Sequence, residues 1–208
     1  MADQVSSPGR RPIASRSAGW AVALSARLAR SNVTPNQISV LSVVFAALGA
    51  GLLLWPHPIG WIAAALCVQL RLVCNLLDGM VAIEGGKKSP VGALYNEFPD
   101  RIADSLLLVA AGYAAGLPSA GWAAALLAAL TAYVRVFGGS LGLAQDFSGI
   151  MAKQRRMALL TSALVAQSVE WAFSPTRYSL AAAILLIAVG SAITCVTRTA
   201  AVARELRR

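Results

Sequence analysis

Residues 37–55 carry no charged side chain. A run of that length is close to the roughly 20 residues that a helix needs to cross the hydrocarbon layer of a bilayer. Lipid offers the backbone no hydrogen-bond partners, so such a segment is confined to helix. It opens at Thr34-Pro35-Asn36, which supplies a side-chain cap and a proline suited to the first helical position. It closes at Pro56-His57-Pro58, a tight turn in which the solitary His57 reads as a loop residue and not a ligand. Five further apolar segments predict helices near 59–83, 91–116, 119–143, 155–174 and 177–199, with breaks at Gly85-Gly86, Gly116-Leu117-Pro118 and Ser174-Pro175. The spacings Gly112-x3-Gly116 and Gly138-x3-Gly142 predict close helix approach. The fold class expected is all-α: an integral membrane protein with six transmembrane helices.

Only 13% of the 208 residues are charged and 57% are hydrophobic, about half the charge of a soluble domain. Residues 1–16, rich in Ser, Pro, Arg and Gly, are expected to be disordered, with residues 17–208 forming one six-span membrane domain. No apolar core of a cleavable signal peptide is visible in this N-terminal stretch. Residues 17–30 predict an N-terminal amphipathic interfacial helix, because Trp20, Leu24 and Leu28 fall on one stripe flanked by Arg16, Arg27 and Arg30. A plain cytoplasmic extension of the first span is the alternative. Cys67, Cys74 and Cys195 lack metal-ligand spacing and read as small reduced hydrophobes.

The net charge of +9 is placed by topology. Lys87, Lys88, Lys153, Arg155, Arg156, Arg204, Arg207, Arg208 and the five N-terminal arginines fall on one side of a six-span plan, and Arg177 alone on the other. The side rich in Lys and Arg is cytoplasmic, so both termini are expected inside, in the cytoplasmic (inner) membrane. This placement makes nucleic acid a poor partner.

Against this apolar background stands an acidic cluster: Asn75, Asp78, then Asn96, Glu97, Asp100, Arg101 and Asp104. An Asp at mid-span costs about 2.5–3.5 kcal/mol, so such groups persist when they pair, bind a cation or do chemistry. Asn75 and Asp78 share one face of the second span, and Asn96, Asp100 and Asp104 one face of the third. Oxygen ligands converging from two helices suit hard cations such as Mg²⁺, Mn²⁺ or Ca²⁺. Ion pairs of Asp100 or Asp104 with Arg71, Arg101 or Arg135 are an equal alternative from the acids alone.

The spacing Asp78-Gly79-x2-Ala82, then Gly92-x3-Asn96-x3-Asp100, resembles the signature of the CDP-alcohol phosphotransferase family. That pattern reads Asp, two residues, Asp-Gly, two residues, Ala-Arg, eight residues, Gly, three residues, Asp, three residues, Asp. Every gap is preserved from residue 75 to 100, and Thr34-Pro35-Asn36 and the six-span plan are also similar to the family. The resemblance implies transfer of a phosphatidyl group from a CDP-linked lipid, commonly CDP-diacylglycerol, to a small alcohol, with release of CMP. It implies a dinuclear Mg²⁺ or Mn²⁺ site at the cytoplasmic side of the membrane, a homodimer, and a base at the fourth acid, here Asp100. The metal ligands implied are Asn75, Asp78, Asn96 and Asp100, and the nucleotide lies against Asp78, Gly79, Ala82 and Gly92.

Three signature positions differ: Asn75 and Asn96 replace acids and Ile83 replaces the Arg. Two carboxylates balance one divalent ion. Either the site holds a single metal or other acids compensate, with Asp104, one turn from Asp100, better placed than Glu97 or Glu84. On the basic side, Arg135, Lys153 and Arg155 are expected to hold an acceptor's own phosphate, as in glycerol phosphate or inositol phosphate, because Arg forks recognise phosphate bidentately. Lys153 and Arg156 fit topological anchoring equally well. Two other functions compete with the transferase: a non-catalytic CDP-lipid-binding or scaffolding member, and a small transporter.

Overall fold

The computed structural model describes residues 17–208. The expected disorder of residues 1–16 lies outside the described residues. Seven helices make up the described chain: α1 (Gly19–Ala29), α2 (Pro35–Leu53), α3 (Pro58–Glu84), α4 (Gly92–Ala114), α5 (Pro118–Ser140), α6 (Lys153–Phe173) and α7 (Tyr178–Glu205).

Local chemistry sets their ends. Thr34 and Gln37 form a capping box at α2: the Thr34 hydroxyl accepts from the Gln37 N–H at 3.3 Å, and Gln37 Oε1 accepts from the Thr34 N–H at 2.9 Å. His57 is the N-cap of α3, its Nδ1 accepting from the Ile59 N–H at 3.2 Å. Helix α7 takes its cap from another helix. The Glu170 carboxylate of α6 accepts from the N–H groups of Tyr178 and Ser179, each at 2.8 Å. Gly116 ends α4 with φ +74°, a left-handed conformation that favours glycine.

Four helices, α2, α3, α5 and α7, are long and apolar enough to cross a membrane. The six spans expected reduce to four on this criterion for a physical reason. Helices α4 and α6 have the length, 23 and 21 residues. However, α4 carries Glu97, Asp100, Arg101 and Asp104, and α6 carries Lys153, Arg155, Arg156 and Glu170.

Packed neighbours run α2–α3–α6–α7–α5–α4 and back to α2, closing a ring. Leu53, Val68, Leu107, Ala128, Met157, Leu164 and Ile187 fill its interior. Val40, Leu48, Leu66, Leu126, Leu186 and Val196 point outward, giving the bundle the apolar coat of a multi-pass membrane protein. Helix α1 lies on α3 through Ala21, against Leu76 and Met80. Trp20 and Leu24 of the predicted stripe are exposed, and Leu28 is partly covered.

Two glycines set helix spacing. A methyl at Gly112 would meet the Gly121 Cα at 2.5 Å, which fixes the close approach of α4 to α5. A methyl at Gly49 of α2 would meet the Cys67 Cβ of α3 at 3.1 Å and the Leu107 side chain of α4 at 3.2 Å. Helices α3 and α4 thus both lean on α2, and each reaches the other through long polar side chains.

Candidate functional site

The polar side chains gather at one end of the ring, where α3 ends and α4 and α6 begin. Asp78 lies six residues before Glu84, about 9 Å of helix rise inside the end of α3. It is 5% exposed and is met by neutral donors: Ser39 Oγ of α2 donates to Oδ2 at 2.6 Å, and the Gly79 N–H to Oδ1 at 2.5 Å. A methyl at Gly79 would meet nothing within 4 Å, and one at Gly92 only Ser89 Oγ at 3.6 Å. The backbone on both sides of the site is therefore open to close approach by a ligand.

Asp100 of α4 is heavily engaged on one oxygen. Its Oδ1 accepts from Asn75 Nδ2 at 2.6 Å, from the Lys153 ammonium of α6, and from Arg71 of α3 at 3.4 Å. Its Oδ2 faces Arg101 at 3.8 Å. Asp78 lies within electrostatic range of both Asp100 and Lys153, so α3, α4 and α6 converge here.

One turn deeper, Asp104 has both oxygens taken. Arg71 donates to Oδ1 at 2.5 Å and Arg156 to Oδ2 at 2.6 Å, with all three side chains buried. Asp104, the acid expected to compensate for the missing carboxylates, is placed as the partner of two guanidinium groups. Asn96 is exposed near the start of α4, so Asn96, Asp100 and Asp104 step from surface to interior along one face. Ala82 is half-buried and Ile83 exposed.

The basic residues divide. Arg135 of α5 reaches both oxygens of Glu97 at 2.7 Å, donates to Gln145 Oε1 at 2.5 Å, and lies 5.0 Å over the Phe147 ring. Arg198 of α7 donates to the carbonyls of Ser148 and Thr131. Together with Arg101, Lys153 and Arg156 they line a cleft of about 10 Å³, room for one water. Arg155 is exposed, 3.4 Å from the Gly149 carbonyl, and does not line this cleft. A second cleft of about 380 Å³ opens at the same end, lined by Ser31, Asn32, Thr34, Asn36, Lys87 and Ser89, one turn of α2 outward from Ser39.

Ser39 carries no sequence signal, since serine recurs in apolar helices. Lys153 and Arg156 had a signal, their spacing on the first turn of α6, but nothing in the sequence identified Asp100 and Asp104 as their partners. Among the described residues no three His, Cys, Asp or Glu side chains gather closely enough to hold a metal. Of the expected ligands, Asp78 is buried, Asn75 is tied through its amide N–H to Asp100, and Asn96 lies exposed at the start of α4. By chemistry, carboxylate and carboxamide oxygens at 75, 78, 96 and 100 are hard donors suited to a divalent ion, and their two carboxylates carry the charge of one such ion and not of two.

A sequence model of the CDP-alcohol phosphatidyltransferase family matches residues 32–199. The chain is similar to the archaetidylinositol phosphate synthase of Aeropyrum pernix, at 35% identity over 87% of this chain and 89% of that one. It is also similar to the phosphatidylinositol phosphate synthase of Mycobacterium tuberculosis, at 30% identity over 82% and 80%. Crystal structures of a Mycobacterium tuberculosis phosphatidylinositol phosphate synthase superpose with a TM-score of 0.72. The form with CDP-DAG bound is 24% identical and covers 88% of this chain and 92% of that one. The complex with manganese and citrate is 25% identical and covers 88% of each.

Proposed function

The chain belongs to the CDP-alcohol phosphatidyltransferase family, and from that premise we propose that it transfers a phosphatidyl-type group from a CDP-linked lipid such as CDP-diacylglycerol to an alcohol acceptor, with release of CMP. Family members use divalent metals such as Mg²⁺ or Mn²⁺. The observation that carries the proposal is Asp78: a buried carboxylate met by neutral donors, beside open glycine backbone and within range of Asp100.

Asp78, with the carboxamide oxygens of Asn75 and Asn96, would hold the metal. A bound divalent ion there supplies neutralisation of the diphosphate charge. The cytidine lies in the cleft of about 380 Å³ between Thr34 and Ser89, and Gly79 and Gly92 admit the phosphates against the backbone. Asp100 is the base. Its Oδ1 is held by Asn75, Lys153 and Arg71, which fixes its plane. Oδ2 then takes the proton of the acceptor hydroxyl as the acceptor oxygen bonds to the lipid-side phosphorus. The phosphorus–oxygen bond to CMP breaks, and CMP leaves with the electron pair.

The acceptor carries its own phosphate, of the inositol phosphate kind named for the relatives. Arg135 receives it, with Arg198 and Lys153 around it. In the closed cleft Glu97 holds the Arg135 guanidinium, and the incoming phosphate takes the place of that carboxylate. In this reading all of α2 to α7 cross the cytoplasmic membrane, with both termini inside. Helix α1 lies in the headgroup layer on Trp20 and Leu24, residues 17–208 form one domain, and the protein is a homodimer.

A second reading, a non-catalytic CDP-lipid-binding member, draws on the loss of two signature acids at Asn75 and Asn96. Purified full chain with labelled CDP-diacylglycerol, Mn²⁺ and inositol phosphate separates the two. CMP release that falls roughly 100-fold or more in Asp78→Ala and Asp100→Ala supports transfer. Unchanged turnover in either variant rejects this catalytic assignment, and nucleotide binding without turnover supports the second reading.

A further inference from the structure

We infer that this centre takes one divalent cation per chain, anchored on Asp78, and that the Lys153 ammonium occupies the place of a second. The inference rests on the family reading of Asp78 and Asp100 as the two faces of one site.

Three observations carry it. First, the carboxylates are already allotted. Asp104 is closed by Arg71 and Arg156, and Asp100 Oδ1 by Lys153, Asn75 and Arg71. Asp78 faces neutral donors. Second, no acid is left over for a second dication: Asp100 and Asp104 are paired with Lys153, Arg71 and Arg156, Arg135 and Arg198 are buried as well, and of these acids only Asp78 lacks a cationic partner among the described residues. A signature with four acids has two more negative charges, which is the charge of one dication. Replacing them with Asn75 and Asn96 removes the charge that a second dication would offset, and leaves its share of the field to an ammonium.

Third, Lys153 stands where a lysine is otherwise disfavoured. It is the first residue of α6 and 8% exposed, at the end of a helix whose dipole repels a cation. Asp100 is what holds it there. A cation fixed on Asp100 Oδ1 beside Asp78 excludes a second dication from that oxygen by charge and by contact.

The test is a count of bound Mn²⁺ on the full chain in detergent, by equilibrium dialysis and by the loss of the free-Mn²⁺ spin-resonance signal. The wild type is expected to bind one Mn²⁺ per chain, and Asn75→Asp/Asn96→Asp two. Adding Lys153→Met to that pair is expected to tighten the second ion on the order of tenfold. Two ions in the wild type, or none, overturns the inference, as does a count that stays at one in a folded Asn75→Asp/Asn96→Asp protein. If that variant does not fold, the wild-type count decides. The count is independent of turnover: one bound ion with no CMP release would reject the transferase reading and leave this inference standing.

Discussion

Replacing Asp104 with Ala removes the common partner of two buried guanidinium groups. Arg71 is 0% exposed and Arg156 2%, and each donates to a separate Asp104 oxygen, at 2.5 Å and 2.6 Å. Breaking a buried ion pair from one side costs roughly 3–5 kcal/mol, because the other charge stays in a medium that cannot solvate it. Arg71 retains a 3.4 Å approach to Asp100. Arg156 retains one hydrogen bond, to the Met151 carbonyl at 3.2 Å. The cost therefore falls mainly on Arg156, and the lower part of the range applies, about 3 kcal/mol. For a chain of this size that corresponds to a fall in Tm on the order of 10 °C. The assay is a thermal melt of detergent-solubilised protein. The partner variant Arg156→Met/Asp104→Leu, which replaces the pair with apolar groups, is expected to recover most of the loss. A melt of Asp104→Ala that coincides with the wild type would refute the assignment of Asp104 as a structural anchor.

Gly112→Ala places a methyl 2.5 Å from the Gly121 Cα, and the melt is expected to show an overpacking cost of about 1–3 kcal/mol. Glu170→Ala removes the acceptor of two N–H groups and two hydroxyls at the start of α7. Hydrogen exchange at Tyr178 and Ser179 should accelerate, with a loss of about 0.5–2 kcal/mol. Arg135→Ala is expected to raise KM for a phosphorylated acceptor more than tenfold, about 1.5–3 kcal/mol for a charge-assisted contact. The KM for CDP-lipid should stay unchanged in the same kinetic assay.

Much of the scaffold was legible because its signals are local. The cap at Thr34, the proline at residue 58 and the glycine at residue 116 act on their own backbone, so helix ends could be read from residue type. The spacing from residue 75 to 100 was legible as well, because it is a spacing along the chain. What could not be read is association across the chain. The reach of Lys153 and Arg156 to acids some fifty residues away depends on the ring bringing the first turn of α6 to face α4, which no spacing encodes. Nothing in the sequence marks Glu170, yet it caps the following helix. The count of spans was blurred at α4 and α6 for the same reason that these helices matter. They carry the charges of the site, and composition cannot distinguish a charge turned toward a bundle interior from one turned toward water.

Gly49 sits where two neighbouring helices close on a third. It lies ten residues along α2 from Ser39, about 15 Å of rise, and its missing side chain lets Cys67 and Leu107 close on either side of it. The two jaws that would grip the nucleotide in the proposed reaction hang on a common post, and their gape is set at its far end. A single added carbon there would prise them apart without touching any group that meets the substrate.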